Sequence, residues 1–353
     1  MTQRTSMAMA HGALQKLPYV RTASEIQEMK FWRAPVRESH RIVDPVKRAK
    51  NHTSRLINMQ LSKLSSITRQ VSMDFPALKR MHPFEREVVV LTIGKGTYEN
   101  YLQMLRRVYA MLHNTGKLYE RECQVLRTKQ EAVDCGLQCI EELKKIVDDN
   151  AETLREAANM VKMLRGLPHV DLDKPIFSFV GAPNVGKSSL VRALSTASPE
   201  VANYPFTTRG ITMGHIFVDG ISYQIADTPG LIFRPDERRN AIEKLAIAIV
   251  EKTQASIGFV FDPSSSSGTS AVDQILLRDE LRQRVMAARP EHKWIDIISK
   301  IDQPSSGLPL LKERLGSSPH FCVSAQTNEC LVELGDEIRR VLTQSASEDG
   351  FLE

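Results

Sequence analysis

The chain has 353 residues, 42% hydrophobic and 25% charged, a composition that suits two globular domains and excludes wholesale disorder, and no apolar run approaches the roughly 18 residues of a bilayer span. Its net charge of +5 is uneven: residues 1–72 hold thirteen Lys or Arg against four Asp or Glu, a surplus of nine, and the remainder carries −4. A basic N-terminal part on a mildly acidic remainder points to a polyanionic partner or to the solvated face of a helical domain.

Residues 1–24 hold no acid, three basic residues (Arg4, Lys16, Arg21) and several Ser and Thr, which fits an organelle targeting or flexible segment without the apolar stretch of a secretion signal. From Asp44 to about Arg165, Gly and Pro are sparse. Apolar residues recur three and four apart in Tyr98, Leu102, Leu105, Tyr109 and Leu112, and again in Leu137, Ile140, Leu143, Val147, Leu154, Val161 and Leu164. This period predicts two or three long helices of a basic bundle domain over 25–168. Breaks are expected at Phe75-Pro76, His82-Pro83 and Gly94-Lys95-Gly96. Cys135 and Cys139 stand one helical turn apart with no second ligand pair nearby, so they read as packing residues. With Cys123, Cys322 and Cys330 they are too few and too scattered for a disulfide framework, and a reducing compartment is the default.

After Gly166-Leu167-Pro168 the pattern changes. Short β-rich runs at 176–180, 211–218, 222–226, 257–261, 294–298 and 320–323 alternate with helical stretches. This is the signature of βαβ units. It predicts an α/β P-loop domain over 169–345, with a mostly parallel sheet and helices on both faces, and a flexible tail at 346–353.

Gly181-Ala182-Pro183-Asn184-Val185-Gly186-Lys187-Ser188 matches G-x-x-x-x-G-K-[ST] between a strand and a helix. In such a turn the amides of Gly181, Asn184, Val185, Gly186, Lys187, Ser188 and Ser189 would face phosphate oxygens. Lys187 would bridge the β- and γ-phosphates, and the Ser188 hydroxyl would reach Mg2+. ATP and GTP are both open on this motif alone. Asp227-Thr228-Pro229-Gly230 then supplies the D-x-x-G of GTPases, Asp227 meeting Mg2+ through water and the Gly230 amide sensing the γ-phosphate. Thr208, twenty residues past Ser188 in the run Tyr204-Pro205-Phe206-Thr207-Thr208, is the candidate threonine that closes over Mg2+.

Base selection is expected from Ser299-Lys300-Ile301-Asp302. The Asp302 carboxylate can accept from guanine N1–H and its exocyclic amine, and Lys300 would lie along the base. Ser299 stands where an Asn is usual and loses an amide partner for the base. Val323-Ser324-Ala325 would contact the base oxygen through its backbone. Leu231 occupies the place of a water-orienting Gln, so intrinsic hydrolysis should be slow or assisted. Asn184 is a candidate helper, at the position where potassium-stimulated GTPases place a cation ligand; a hydrogen bond across the loop is the other reading of the same residue.

Together these motifs, with the run Asn203 to Gly210, Met213-Gly214-His215-Ile216, and Asp227 to Leu231 followed by Glu237-Arg238-Arg239-Asn240, resemble the Nog branch of the Obg-like GTPases, the nucleolar GTP-binding proteins. Asp74-Phe75-Pro76-Ala77-Leu78, His82-Pro83-Phe84 and Leu164-Arg165-Gly166-Leu167-Pro168 are similar to that family's helical domain and junction. The resemblance covers nearly the whole chain, from about residue 14 to 343. Trp294-Ile295-Asp296 and Ser299-Lys300 are most similar to short organellar members, for which the long C-terminal extension of nuclear members is not expected. The resemblance implies a GTPase that uses GTP/GDP and Mg2+, with K+ as an added candidate. It also implies docking on the large ribosomal subunit precursor and its rRNA among other assembly factors, in a mitochondrion or plastid, the nucleolus being the alternative. A chain monomeric when free and without integral membrane association is expected. Competing readings are a G protein with a protein effector and a GTP-binding structural factor that hardly hydrolyses. The surplus charge, for which Arg33, Arg37, Arg41, Lys47, Arg48, Lys50 and Arg55 are candidates, and the lack of a lipidation motif favour RNA.

Overall fold

The computed structural model describes residues 14–348 apart from 40, 95, 169, 173, 207–209, 265 and 291. The chain divides into two units, one formed by the described residues up to Arg80 with Ile93–Gly166, the other by Met81–Thr92 with the chain from Leu167 onward. Ahead of the sheet lie α1 (Ala23–Gln27), α2 (Pro45–Asp74), α3 (Pro83–Ile93), α4 (Thr97–Val125), α5 (Lys129–Asp149) and α6 (Ala151–Arg165). All three breaks read from Pro and Gly separate helices here, and Gly96, at φ 82°, caps α4.

In the helical unit, Asp44 caps α2 by accepting from the Val46 and Lys47 amides at 2.8 and 3.1 Å, and Thr128 with Glu131 forms a reciprocal capping box on α5. The core draws on Ile57, Leu61 and Leu64 of α2, Leu102, Leu105 and Leu112 of α4, Leu143 and Val147 of α5, and Leu154, Val161 and Leu164 of α6. Cys135 and Cys139 are buried in it, and burial pushes their thiols up to about 11 and about 12. Leu137 departs from its expected place at 55% exposure. The buried stripe of α5 is Ala132, Cys135, Cys139, Leu143 and Val147, and position 137 falls between its turns.

Two segments pack differently from their expected assignment. Leu14, Leu17 and Val20 are buried, so from residue 14 onward the described chain packs into the fold. The segment 81–92 leaves the bundle and joins the α/β unit. Its helix α3 is bounded by Pro83 and Gly94, buries Phe84, Val88 and Val89, and pairs Glu87 with Lys252 at 2.5 Å. Glycine and proline punctuation frees such a piece from its neighbours, and period alone cannot say which core it enters.

The α/β unit contains β1 (Ile176–Val180), α7 (Lys187–Leu194), β2 (Glu200–Ala202), β3 (Ile211–Val218), β4 (Ile221–Asp227), α8 (Ala241–Lys252), β5 (Ala255–Phe261), α9 (Ala271–Ala288), β6 (Trp294–Ile298), α10 (Leu308–Leu315), β7 (His320–Cys322) and α11 (Leu331–Glu348). The sheet order is β2-β3-β4-β1-β5-β6-β7, parallel except that β3 runs against β2 and β4. β1 lies between β4 and β5, with Phe179 opposite Asp227 and Gly258. Alternation sends Phe177, Phe179 and Val260 to a core shared with α7 and α11. Val180, Ile257, Phe259 and Phe261 go to the opposite face, against residues of α8, α9 and α10. Helix α11 extends through Glu348 with Ala346 buried, so the expected tail at 346–353 starts inside a packed helix. The carboxyl ends of β1, β4, β5 and β6 converge where an open α/β sheet places its ligand crevice.

Candidate nucleotide site

The turn after β1 is shaped by close packing. Gly181 has φ 152°, and a Cβ there would lie 2.5 Å from the Val260 carbonyl oxygen. Asn184 and Gly186 also take positive φ, 60° and 102°. The loop therefore curls tightly and delivers the first turn of α7 with its free amides at the crevice. Lys187 is buried, its ammonium donating to the carbonyls of Gly181 and Ala182 at 3.2 and 2.8 Å. Burial lowers its pKa to about 8 against the opposing charge of Asp227. Two of the three ammonium N–H groups are used within the loop, which leaves one.

Asp227 ends β4, and the Ser188 hydroxyl donates to its carboxylate. Burial raises that carboxyl above its ordinary value, while the Lys187 charge, the Ser188 bond and Arg192 pull it down. A hydroxyl and a carboxylate in contact are hard oxygen donors of the kind Mg2+ takes. Among the described residues no group of three or more His, Cys, Asp or Glu could hold a metal. A divalent ion here would depend on phosphate oxygens and water for its remaining ligands.

Thr228 is buried and binds the Phe179 carbonyl through both its amide, at 3.1 Å, and its hydroxyl, at 2.8 Å. Any side chain at Gly230 would collide with the P-loop, since its Cβ would lie 2.6 Å from Pro183 N and Cα. The Leu231 amide donates to the Gly181 carbonyl at 3.0 Å, and its side chain is wholly buried among residues of β1, β5 and α8. Position 231 is thus a core anchor. Thr208 lies outside the described residues; Asn203 and Gly210, on either side of it, line the cavity of about 880 Å3 that opens over Lys187, Ser188 and Gly230.

On the other side, Lys300 sits at φ 53° and its ammonium donates to the Asn184 carbonyl at 2.7 Å, the Asp262 carboxylate at 2.8 Å and Ser266 Oγ at 2.9 Å. Burial works to raise the Asp262 carboxyl, but the bonds from Lys300 and Ser264 outweigh it and hold the group below its ordinary value. Exposed Asp302 accepts from the Ser324 hydroxyl at 2.6 Å. Ser324 is itself buried, and its oxygen accepts from the amides of Gln326 and Thr327 at 3.2 and 3.1 Å. The carboxylate is thereby oriented by the loop after β7, in which Ala325 packs against the core. Ser299 differs from its expected role. It is buried, and its hydroxyl lies 2.5 Å from the Val185 carbonyl and 2.9 Å from that of Phe261. A short side chain at the end of β6 reaches the P-loop backbone and stops there, so Ser299 braces the loop.

A model of the NOG1 N-terminal helical domain matches residues 14–171, and a model of a 50S ribosome-binding GTPase matches residues 176–289. A NOG1-type helical domain followed by a GTPase domain supports a Nog-type GTPase. An uncharacterized protein of Methanocaldococcus jannaschii is 30% identical over 207 residues, 59% of this chain and 58% of that protein. Nucleolar GTP-binding protein 1 of Drosophila melanogaster is 30% identical over 221 residues, 60% of this chain and 33% of that protein. The Arabidopsis thaliana protein of the same name is 29% identical over 235 residues, 64% of this chain and 33% of that protein. The chain thus matches about a third of the length of these nucleolar relatives.

The family motifs point to most of the cavity wall, but Arg234 and Glu243 of its lining, and Asp262 behind Lys300, escaped them. Asp262 carries an Asx-turn signal in Asp262-Pro263-Ser264, visible in the sequence once β5 is placed. Asn240 and Glu243 form the capping box of α8, also a readable pattern. Arg234 has no local signal, because its partner lies nine residues on, past a turn.

Proposed function

We propose that this Nog-type chain binds GTP and GDP with Mg2+, hydrolyses GTP slowly, and acts in assembly of the large ribosomal subunit by docking on rRNA through its basic helical unit. The observation that carries the nucleotide reading is Asp302, exposed and oriented by Ser324 beside Lys300, itself tied to the P-loop. An oriented carboxylate accepts from two guanine donors that adenine does not present. The amides from Gly186 to Ser189 would cradle the phosphates, with Lys187 supplying charge from beneath. Ser188 directly and Asp227 through water would hold Mg2+, which would neutralise charge on the β- and γ-phosphates. Closure by Thr208 belongs to the same proposal, as does contact of the Ala325 backbone with the base.

Slow intrinsic turnover follows from Leu231, whose buried side chain cannot orient water. Asn184 supports a monovalent cation as helper, since its backbone oxygen is engaged by Lys300 while its side chain is exposed at the cavity. Faster hydrolysis in KCl than in NaCl at equal ionic strength tests this. The rRNA reading rests on Arg33, Arg37, Arg41 and Lys47, which are exposed and make no ion pair among the described residues. A protein effector is the second reading, favoured by Ile232 and Phe233, each 45% exposed just past Gly230. A structural factor that binds GTP with negligible hydrolysis is the third, kept by Leu231. For localisation, the relatives' name supports the nucleolus, and the acid-free start of the chain supports a mitochondrion or plastid; imaging the tagged full chain separates them. No helix among the described residues is long and apolar enough to cross a membrane.

Competition binding tests the base selector. GTP should bind at least about tenfold more tightly than ATP, one well-oriented charged hydrogen bond being worth that much, and Asp302→Asn should erase the preference. Equal affinity for ATP in the natural chain would overturn the reading.

A further inference from the structure

Leu231 leaves hydrolysis without a side chain for the attacking water, and the segment after it brings a cation to the phosphate cavity. Arg234 lines the cavity shared by Lys187, Ser188 and Gly230. Its guanidinium grips Glu243 of α8: Nε donates to Oε1 at 3.2 Å, and a terminal nitrogen donates to Oε2. The Glu243 side chain is 3% exposed and that of Arg234 32%. The same carboxylate accepts from the Asn240 amide at 3.0 Å and the Ile232 amide at 3.4 Å. Those bonds remain if the guanidinium leaves, so departure does not strand the carboxylate in the interior. Two other cations on the cavity are committed, Lys187 to the P-loop carbonyls and Lys300 to Asp262. Arg192 is exposed on α7, one turn beyond Ser188.

We propose that Arg234 is a catalytic arginine supplied in cis, stored on Glu243 and turned onto the γ-phosphate of bound GTP; this rests on the GTPase reading above. In the step a water oxygen bonds to the γ-phosphorus as the bond from that phosphorus to the β–γ bridging oxygen breaks. The electron pair stays on the β-phosphate of GDP, and a water proton is released with the phosphate. The guanidinium accepts no proton. It offsets the charge that builds on the bridging and γ-phosphate oxygens, a contribution of about a thousandfold or more from an arginine so placed.

Single-turnover GTP hydrolysis, binding of a fluorescent GTP analogue, and trapping of GDP with aluminium fluoride test this on the full chain in KCl. Arg234→Ala should slow hydrolysis by at least about a hundredfold and lose aluminium fluoride trapping, with GTP affinity within about threefold of the natural chain. Arg234→Lys should not restore the rate, because an ammonium lacks the guanidinium fork. Glu243→Gln should hydrolyse faster than the natural chain, since its amide oxygen can still accept from the Asn240 amide while the neutral side chain releases the cation. A rate for Arg234→Ala within about threefold of the natural chain, or a Glu243→Gln rate equal to or below it, would overturn the proposal, the latter marking the pair as a clamp for the segment. Failure of the natural chain to bind GTP would overturn the nucleotide reading itself.

Discussion

Arg278 in the α/β unit and Arg33 in the helical unit show two uses of one side chain. Arg278 holds Asp296 at 2.6 Å, their side chains 13% and 3% exposed. Nearby, Arg239 is fully enclosed between Asp236 and Glu280, and Lys300 pairs with buried Asp262. In the basic segment of the helical unit, Arg48 donates to the Ile42 carbonyl, Lys50 to that of Gln124 and Arg55 to that of Arg37. Arg33, Arg37, Arg41 and Lys47 are exposed and lack an ion pair among the described residues. A cation enclosed with a carboxylate is part of the scaffold, whereas one without a counter-charge keeps its field for an outside polyanion. The surplus of nine charges therefore splits into cations that tie the chain and cations that remain available.

The largest effect is expected at Lys187, a buried cation that lines the cavity. Lys187→Ala should weaken GTP binding by at least about a hundredfold, because a charge-assisted phosphate bond in a sheltered site is lost. Its melting temperature should stay close to that of the natural chain, since a buried ammonium adds little to stability. Unchanged GTP affinity would remove the P-loop assignment.

Removing a scaffold cation should act on stability instead. Arg278→Met leaves Asp296 buried with Trp294 Nε1 at 2.9 Å as its remaining described partner, and a loss of about 3 kcal/mol is expected in urea unfolding. Arg33→Met should cost less than about 0.5 kcal/mol by the same measurement. Similar losses at both positions would collapse the distinction between the units.

Charge reversal of Arg33, Arg37, Arg41 and Lys47 to Glu should lower association with large-subunit rRNA by about tenfold or more and flatten its salt dependence, as fewer counterions are released. Arg48, Lys50 and Arg55 are left in place because they bind backbone carbonyls. GTP binding should persist. Association that ignores both salt and the reversal would advance the protein-effector reading.

The smallest effect concerns pH. Lys187 in the ligand-free chain is charged below about 8 and neutral above it. Phosphate favours the charged form, so above that pH binding must take up a proton and affinity falls as pH rises. A drop of about fourfold between pH 7 and 8.5 is expected in titrations of GDP, and it should vanish in Lys187→Ala. The same depression means the ligand-free fold gains stability as pH rises from about 8 towards 10.5, where the unfolded chain loses its proton. A flat GDP profile would show that Lys187 is already protonated throughout this range.

Much of the α/β unit was readable because its signals are local. The runs 176–180, 211–218 and 294–298 are strands with those bounds, and the glycines of the P-loop stand where positive φ or contact with Val260 demands them. Strand β2 went unread: Glu200–Ala202 is an exposed edge piece without alternation, defined by pairing with β3. Leu137 and the segment 81–92 were misplaced for a related reason, since an apolar side chain reports that some surface should be covered but not which one.

By itself the sequence determined the class of each unit and offered the candidate phosphate loop, Asp227, Lys300 and Asp302, because period and motif are properties of neighbours along the chain. Tertiary structure alone decided that Ser299 braces Val185, that Ser324 orients Asp302, that Leu231 anchors a core, and that Arg234 rests on Glu243. Each of these is settled by which backbone or carboxylate folding brings within about 3 Å, and hydrogen bonds at that range are set by the packing of whole elements.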